Sequence, residues 1–263
     1  MVVGKTISNL LYEFPFLSKV SHPQIELMGR EKELDFLEES QFKKRMKNVI
    51  IVGDAGTGKT ALIEEFAKRN EEFFSVLELN LTSAFSGTRF RGDFEEKVSN
   101  CLREIITYNK RNKEKPIILF IDEIHSIIIS GATDDCMSLG DIIKPYLSKK
   151  EITIIGATTV QEYEKSIRKD LALNRRFCPV YLKKLNKEVV ISILNKFMGG
   201  KESATRNKLL EYIYELSETK KGYFNPDISI EILDRCMARK KFRNIPIDEN
   251  MIKDIFDEII WSF

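Results

Sequence analysis

Two short segments carry residues whose types and order suit phosphate chemistry. Gly53-Asp54-Ala55-Gly56-Thr57-Gly58-Lys59-Thr60 fits the pattern G-x-x-x-x-G-K-[ST], with an apolar run from Val49 to Val52 before it and a helical stretch beginning at Ala61 after it. Glycines at these positions let successive backbone N–H groups curl around phosphate oxygens, and the helix N-terminus that follows adds positive potential. Lys59 supplies a cation for the outer phosphates, and the Thr60 hydroxyl is a hard oxygen ligand for Mg²⁺. Farther along, Ile117-Ile118-Leu119-Phe120-Ile121 runs directly into Asp122-Glu123. Adjacent carboxylates at the end of a buried strand are costly to desolvate unless something uses them. Beside a phosphate loop, Asp122 is expected to hold Mg²⁺ through water while Glu123 orients and polarises an attacking water.

The elements that must position these groups are readable from hydrophobic spacing. Val- and Ile-rich runs at 48–52, 76–79, 116–121, 152–155 and 180–182 are separated by helical patterns. Short buried strands alternating with helices predict an α/β fold: a parallel sheet with helices on both faces. After Gly92, the residues Phe94, Val98, Cys101, Leu102, Ile105 and Ile106 recur at helical spacing and form one apolar stripe. Asp93 and Glu96 read as a capping pair for that helix. Beyond Asn186 the strand signals stop, and 187–198, 205–216, 226–240 and 249–260 all read as helices. The expected organisation is an arm over 1–26, an α/β nucleotide-binding core over 27–185, and a small helical lid domain over 186–263.

Composition bounds the function classes. The 263 residues carry 42 Lys+Arg against 40 Asp+Glu, a net charge of +2, which argues against a protein that binds polyanions through bulk charge. The basic runs Lys43-Lys44-Arg45 and Arg239-Lys240-Lys241 read as solvated faces, and no helix-turn-helix is evident, so a nucleic-acid partner is disfavoured. With 43% hydrophobic residues the chain is globular rather than disordered. Cys101, Cys136, Cys178 and Cys236 form no C-x-x-C pair, and only His22 and His125 could join them, so neither a zinc cluster nor a disulfide framework is expected. Apolar runs fall short of the roughly 18 residues a membrane span needs. The mixed N-terminal stretch around Lys5 lacks the pattern of a secretory signal, which points to the cytoplasm.

Several ordered motifs together resemble the AAA+ ATPases, and most closely the first nucleotide-binding domain of Clp-type protein unfoldases and disaggregases. Leu27-Met28-Gly29-Arg30-Glu31 resembles the segment that frames adenine in that family, with Met28 and Gly29 at its centre, and the phosphate loop continues into Ala61. Phe120-Ile121-Asp122-Glu123-Ile124-His125 is similar to the family's hydrolysis strand. Gly156-Ala157-Thr158-Thr159 followed by Glu162-Tyr163 resembles its sensor segment, which makes Thr159 the polar residue expected near the γ-phosphate. Asp170 to Phe177 is similar to the stretch that sends two arginines, here Arg175 and Arg176, into the ATP site of a neighbouring subunit. What the resemblance implies is a hexameric ring that binds ATP and Mg²⁺, hydrolyses ATP, and remodels or unfolds a protein partner.

Ser86 to Glu96 resembles the family's axial-channel loop, with Arg89 and Phe90 at the positions that grip an extended polypeptide. Residues 130–139 correspond to a second channel loop without a residue signature of their own. In the small domain, Phe224-Asn225-Pro226-Asp227-Ile228 keeps the family's Pro and Asp but has Ile228 where the family has Lys, so lid contacts to nucleotide are open to question. The stretch from Ile245 to Ile260 resembles the lead into a second ATPase ring, and the sequence then stops, which suggests a shortened single-ring form. A different class of function, a nucleotide-switched regulatory scaffold acting by assembly rather than threading, stays open beside protein remodelling.

Overall fold

A computed structural model describes residues 5–23, 25–44, 46–86, 91–126, 143–200 and 202–261. The chain forms two compact units, one comprising Met1–Pro23, Lys32–Gly53 and Thr60–Tyr181, the other Gln24–Glu31, Asp54–Lys59 and Leu182–Phe263. The first is built on a six-stranded sheet with the order β1-β3-β4-β5-β2-β6. Its members are β1 (Leu17–Lys19), β2 (Val49–Val52), β3 (Ser75–Leu79), β4 (Ile117–Ile121), β5 (Thr153–Thr158) and β6 (Cys178–Tyr181). All pairings are parallel except β1 with β3. Every residue of β2 and β4 is buried, which is why these strands read as unbroken apolar runs rather than alternating ones. Parallel pairing places the carboxyl ends of β2, β4 and β5 on one edge, through the registers Val52 with Thr158 and Ile121 with Gly156.

Helices α1 (Ile7–Glu13), α2 (Glu31–Phe42), α3 (Lys59–Arg69), α4 (Leu81–Phe85) and α5 (Arg91–Arg111) come before β4. The expected stripe on α5 is buried along its length, with Phe94, Val98, Cys101, Leu102 and Ile105 fully inaccessible. Each such aliphatic or aromatic side chain is worth about 1.5–3 kcal/mol on burial, far more than helix propensity supplies. Because α5 starts at Arg91, Asp93 lies in its first turn rather than at the cap, where its charge still favours the helix dipole. Between β5 and β6 lie α6 (Val160–Glu162), which runs into a π-helical turn at Tyr163–Ile167, and α7 (Leu171–Asn174). No described helix is long and apolar enough to cross a membrane.

In the N-terminal stretch Thr6 caps α1, β1 adds an edge strand to the sheet, and Leu10, Phe14, Phe16 and Leu17 are buried in the core of the first unit. Residues 24–31 and 54–59 group with the helical unit. That unit contains α8 (Lys187–Met198), α9 (Ala204–Thr219), α10 (Asp227–Arg243) and α11 (Glu249–Trp261) around Val190, Leu194, Ile213, Ile232, Leu233, Ile252 and Ile255.

Candidate functional site

The phosphate loop leaves the carboxyl end of β2 at Gly53, whose N–H donates to Thr158 O of β5 at 3.1 Å, and re-enters helix at Lys59. Gly56 and Gly58 have φ of +76° and +93°, left-handed values that only glycine adopts without strain. A side chain at Gly58 would meet open space, whereas a Cβ at Gly56 would lie 2.5 Å from Cβ of Asp227. The loop is braced internally: the Thr57 hydroxyl donates to Asp54 O at 2.8 Å, and the buried Lys59 Nζ donates to the same carbonyl at 3.0 Å. Arg30, also buried, donates to Thr57 O at 2.9 Å. The neighbouring Gly29 has φ +68°, and a Cβ there would lie 2.7 Å from Val189 Cγ1, so Met28-Gly29 packs directly on the start of α8. Ala55 is exposed, and Thr60 and Ala61 open α3 with Thr60 exposed.

At the end of β4, Asp122 Oδ1 accepts the Glu123 N–H at 2.8 Å. Glu123 has φ +46°, an uncommon conformation for a residue with a side chain and one that clusters at functional sites. Its carboxylate lies 3.1 Å from His125 Nδ1. Glu78 on β3 is half-buried; burial first, then the charges of Asp122 and Glu64, raise its carboxyl above the usual range. The carboxyl edge of the sheet thus gathers negative charge that a hard divalent cation would relieve. Thr159, next to β5, caps α6, its Oγ1 accepting from Glu162 N at 3.2 Å.

Arg175 and Arg176 follow α7. Asp170 caps that helix, accepting from Ala172 N and Leu173 N, and pairs with Lys144 at 2.8 Å. Burial works against the Asp170 charge, but the ammonium and the two N–H donors outweigh it and hold the carboxyl below its usual range. Arg176 is tied to its own unit, with Nε donating to Ser148 Oγ at 2.7 Å and a terminal nitrogen to Ala172 O at 3.0 Å. Arg175 is exposed, and no described residue bonds its guanidinium. Both line a cavity of about 730 Å³ together with Lys43, Lys44, Lys47, Lys149 and Lys150, and none of the described residues lining it is acidic. The Lys43-Lys44 run, expected to be only a solvated face, therefore belongs to a concentrated cationic surface. Asn48 fixes this corner: its amide donates to Leu147 O at 3.0 Å and Arg176 O at 3.3 Å and accepts from Ile154 N at 2.9 Å.

Three residues given no role from sequence stand out. Asp227 sits against Gly56 of the phosphate loop, and burial followed by the nearby Glu231 raises its carboxyl above the usual range. Ile228, where the resemblance leads one to expect Lys, is buried in the core of the helical unit. His125 bridges Glu123 and Thr158. For Asp227 and His125 a charged or polar residue beside an apolar run was the available signal, but Gly56 and Thr158, which they meet, are distant in sequence. Arg89 and Phe90, and the second channel loop at 130–139, lie outside the described residues.

A family model described as "ATPase family associated with various cellular activities (AAA)" matches residues 49–185. The chain is 36% identical over 254 residues to the chaperone protein ClpB of Aquifex aeolicus, covering 89% of this chain and 25% of that protein. It is 31% identical over 246 residues to the ATP-dependent Clp protease ATP-binding subunit ClpC of Staphylococcus epidermidis, covering 89% and 29%. Among solved structures, the S. cerevisiae Hsp104–ADP complex superposes with a TM-score of 0.70 at 26% identity over 86% of this chain and 34% of that one. An extended S. cerevisiae Hsp104:casein complex gives 0.72 at 26% identity over 90% and 42%. The chain thus spans about a quarter to a third of the length of the curated relatives it matches. The family match spans more than half of the residues: the chain belongs to the AAA family of ATPases.

Proposed function

We propose that this protein binds ATP with Mg²⁺, hydrolyses it at sites completed by neighbouring copies in a hexameric ring, and couples the cycle to remodelling or unfolding of a protein partner. The observation that carries this reading is the common carboxyl edge of the sheet, where parallel register and the Gly53–Thr158 hydrogen bond set the start of the phosphate loop beside the ends of β4 and β5, which run into Asp122-Glu123 and Thr158-Thr159. The buried Lys59, the left-handed glycines and the acidic edge fit a polyphosphate with a hard cation.

Residue roles follow from chemistry. The loop residues Gly53, Asp54, Ala55, Gly56, Thr57 and Gly58 cradle phosphates through backbone N–H groups, Lys59 neutralises the outer oxygens, and Met28, Gly29 and Ala61 frame the nucleotide. Thr60 and, through water, Asp122 would hold Mg²⁺, which would supply charge neutralisation on the nucleotide phosphates. Glu123 takes up the proton of the attacking water, and Thr159 orients the γ-phosphate. Arg175, with Arg176 behind it, reaches a neighbouring copy's nucleotide and stabilises charge on the transferred group. Arg89 and Phe90, by sequence resemblance, grip the polypeptide.

The test is a pair of variants. Lys59→Ala should abolish ATP binding, whereas Glu123→Gln should bind ATP normally and hydrolyse it at least about 100-fold more slowly, retaining its protein partner. Wild-type turnover by Glu123→Gln would remove Glu123 from the mechanism.

A further inference from the structure

The turn that carries Glu123 is fastened to the end of β5 at three points. Ile124 N donates to Ala157 O at 3.0 Å, and Ile124 packs where a side chain at Gly156 would have to go, a Cβ there lying 2.7 Å from Ile124 Cδ1. The third point is a side-chain contact. His125 Nδ1 lies 2.9 Å from Thr158 Oγ1 and 3.1 Å from Glu123 Oε2. Thr158 is fully buried and its carbonyl accepts the Gly53 N–H, so the contact ends on the first residue of the phosphate loop.

We infer that His125 is a positioning residue: it holds the Glu123 carboxylate in place by bridging it to Thr158, and through Thr158 to the start of the phosphate loop. A bare ring lone pair would repel a carboxylate oxygen at 3.1 Å, so we assign the tautomer with hydrogen on Nδ1, which donates to Thr158 Oγ1 and holds Glu123 Oε2 by electrostatic attraction. Oε2 is then occupied and Oε1 is left to take a proton from water. Without the bridge, a side chain about half exposed at 51% samples rotamers that face solvent. Misplacing a catalytic group by about 1 Å can cost on the order of 100-fold in rate. The inference rests on the proposed role of Glu123 in hydrolysis, and the test separates the two.

Steady-state ATPase and fluorescent-nucleotide binding should be measured on His125→Leu, His125→Asn, Thr158→Val and Glu123→Gln. His125→Leu should lose about 10- to 100-fold in kcat with KM and nucleotide affinity within about threefold, because loop contacts to phosphate stay intact. His125→Asn, whose amide nitrogen can stand where Nδ1 does, should recover most of the loss. In the Glu123→Gln background, His125→Leu should slow residual turnover no further. A readout independent of turnover is available because the protein has only two histidines. Long-range ¹⁵N–¹H spectra should show His125 with hydrogen on Nδ1, and Glu123→Gln and Thr158→Val should each shift that resonance while His22 stays fixed. Slow turnover in Glu123→Gln with near-normal kcat in His125→Leu would overturn the bridge and leave the role of Glu123 standing. Normal turnover in Glu123→Gln would overturn both. A His125→Asn variant as slow as His125→Leu, or a His125 resonance indifferent to Glu123 and Thr158, would also reject the bridge.

Discussion

Replacing Asn48 with Ala at the amino edge of the sheet should affect activity as well as stability. The side chain is buried at 5% exposure and makes three hydrogen bonds, to Leu147 O, Arg176 O and Ile154 N. At about 1 kcal/mol net per bond, with an extra penalty for leaving a buried strand N–H without an acceptor, the loss is about 3–4 kcal/mol. That is a large part of the roughly 5–15 kcal/mol by which a domain is stable, and should lower the urea midpoint by about 1 M or more. Asn109 provides the control: it is also buried and bonds Ile117 N, Ile117 O and Glu151 O, but makes no hydrogen bond to either arginine. Asn109→Ala should match the loss of stability and keep its turnover below the transition. Asn48→Ala should also lose about 10-fold in ATPase, because it frees the backbone at Arg176. A cost below about 1 kcal/mol for Asn48→Ala, or equal turnover in the two variants, would refute the reasoning.

Two further outcomes are expected. Burial pushes the Cys101 thiol up to about 12 and the Cys236 thiol up to about 11, so at pH 8 their thiolate fractions are on the order of 10⁻⁴ and 10⁻³. Iodoacetamide followed by peptide mapping should therefore label Cys178 in the native protein and reach Cys101 and Cys236 only in urea; native labelling of Cys101 as fast as Cys178 would contradict this. If Phe90 grips the polypeptide, as proposed, Phe90→Ala should keep ATP turnover within about twofold while severely reducing unfolding of the partner trapped by Glu123→Gln, since it removes an aromatic of about 150 Å² or more; full processing at normal turnover would favour a nucleotide switch over threading.

Much of the fold was legible because its determinants are local. β2 and β4 are buried on both faces, so their sequences are apolar without interruption, and α5 keeps one stripe for its whole length. The N-terminal segment was not legible because its signal is too short: α1 buries only Leu10 and β1 has three residues, too few to show a period. The phosphate loop and acid pair were legible because glycines, lysine and carboxylates at strand ends are conspicuous by type. The neighbours that hold them were not. Thr158 meets His125 because of the register that sets Ile121 beside Gly156, and Asp227 meets Gly56 across a long stretch of chain. Such pairings depend on topology, and nothing in the spacing of either residue announces its partner.

The central claim is that each ATP site is completed by a neighbouring copy, and it is tested most directly by mixing two inactive proteins. Lys59→Ala lacks the phosphate-loop cation but has both arginines; Arg175→Ala/Arg176→Ala has the reverse. Each alone should hydrolyse ATP at less than about 1% of the wild-type rate, given the roughly 10³-fold effects of such groups. Mixed at equal concentration, with co-assembly verified by labelling one species, they should regain turnover, because some sites then combine an intact loop with a neighbour's intact arginines. Verified mixed assemblies with no recovery at any ratio, or wild-type turnover by the double-arginine variant alone, would contradict the shared site.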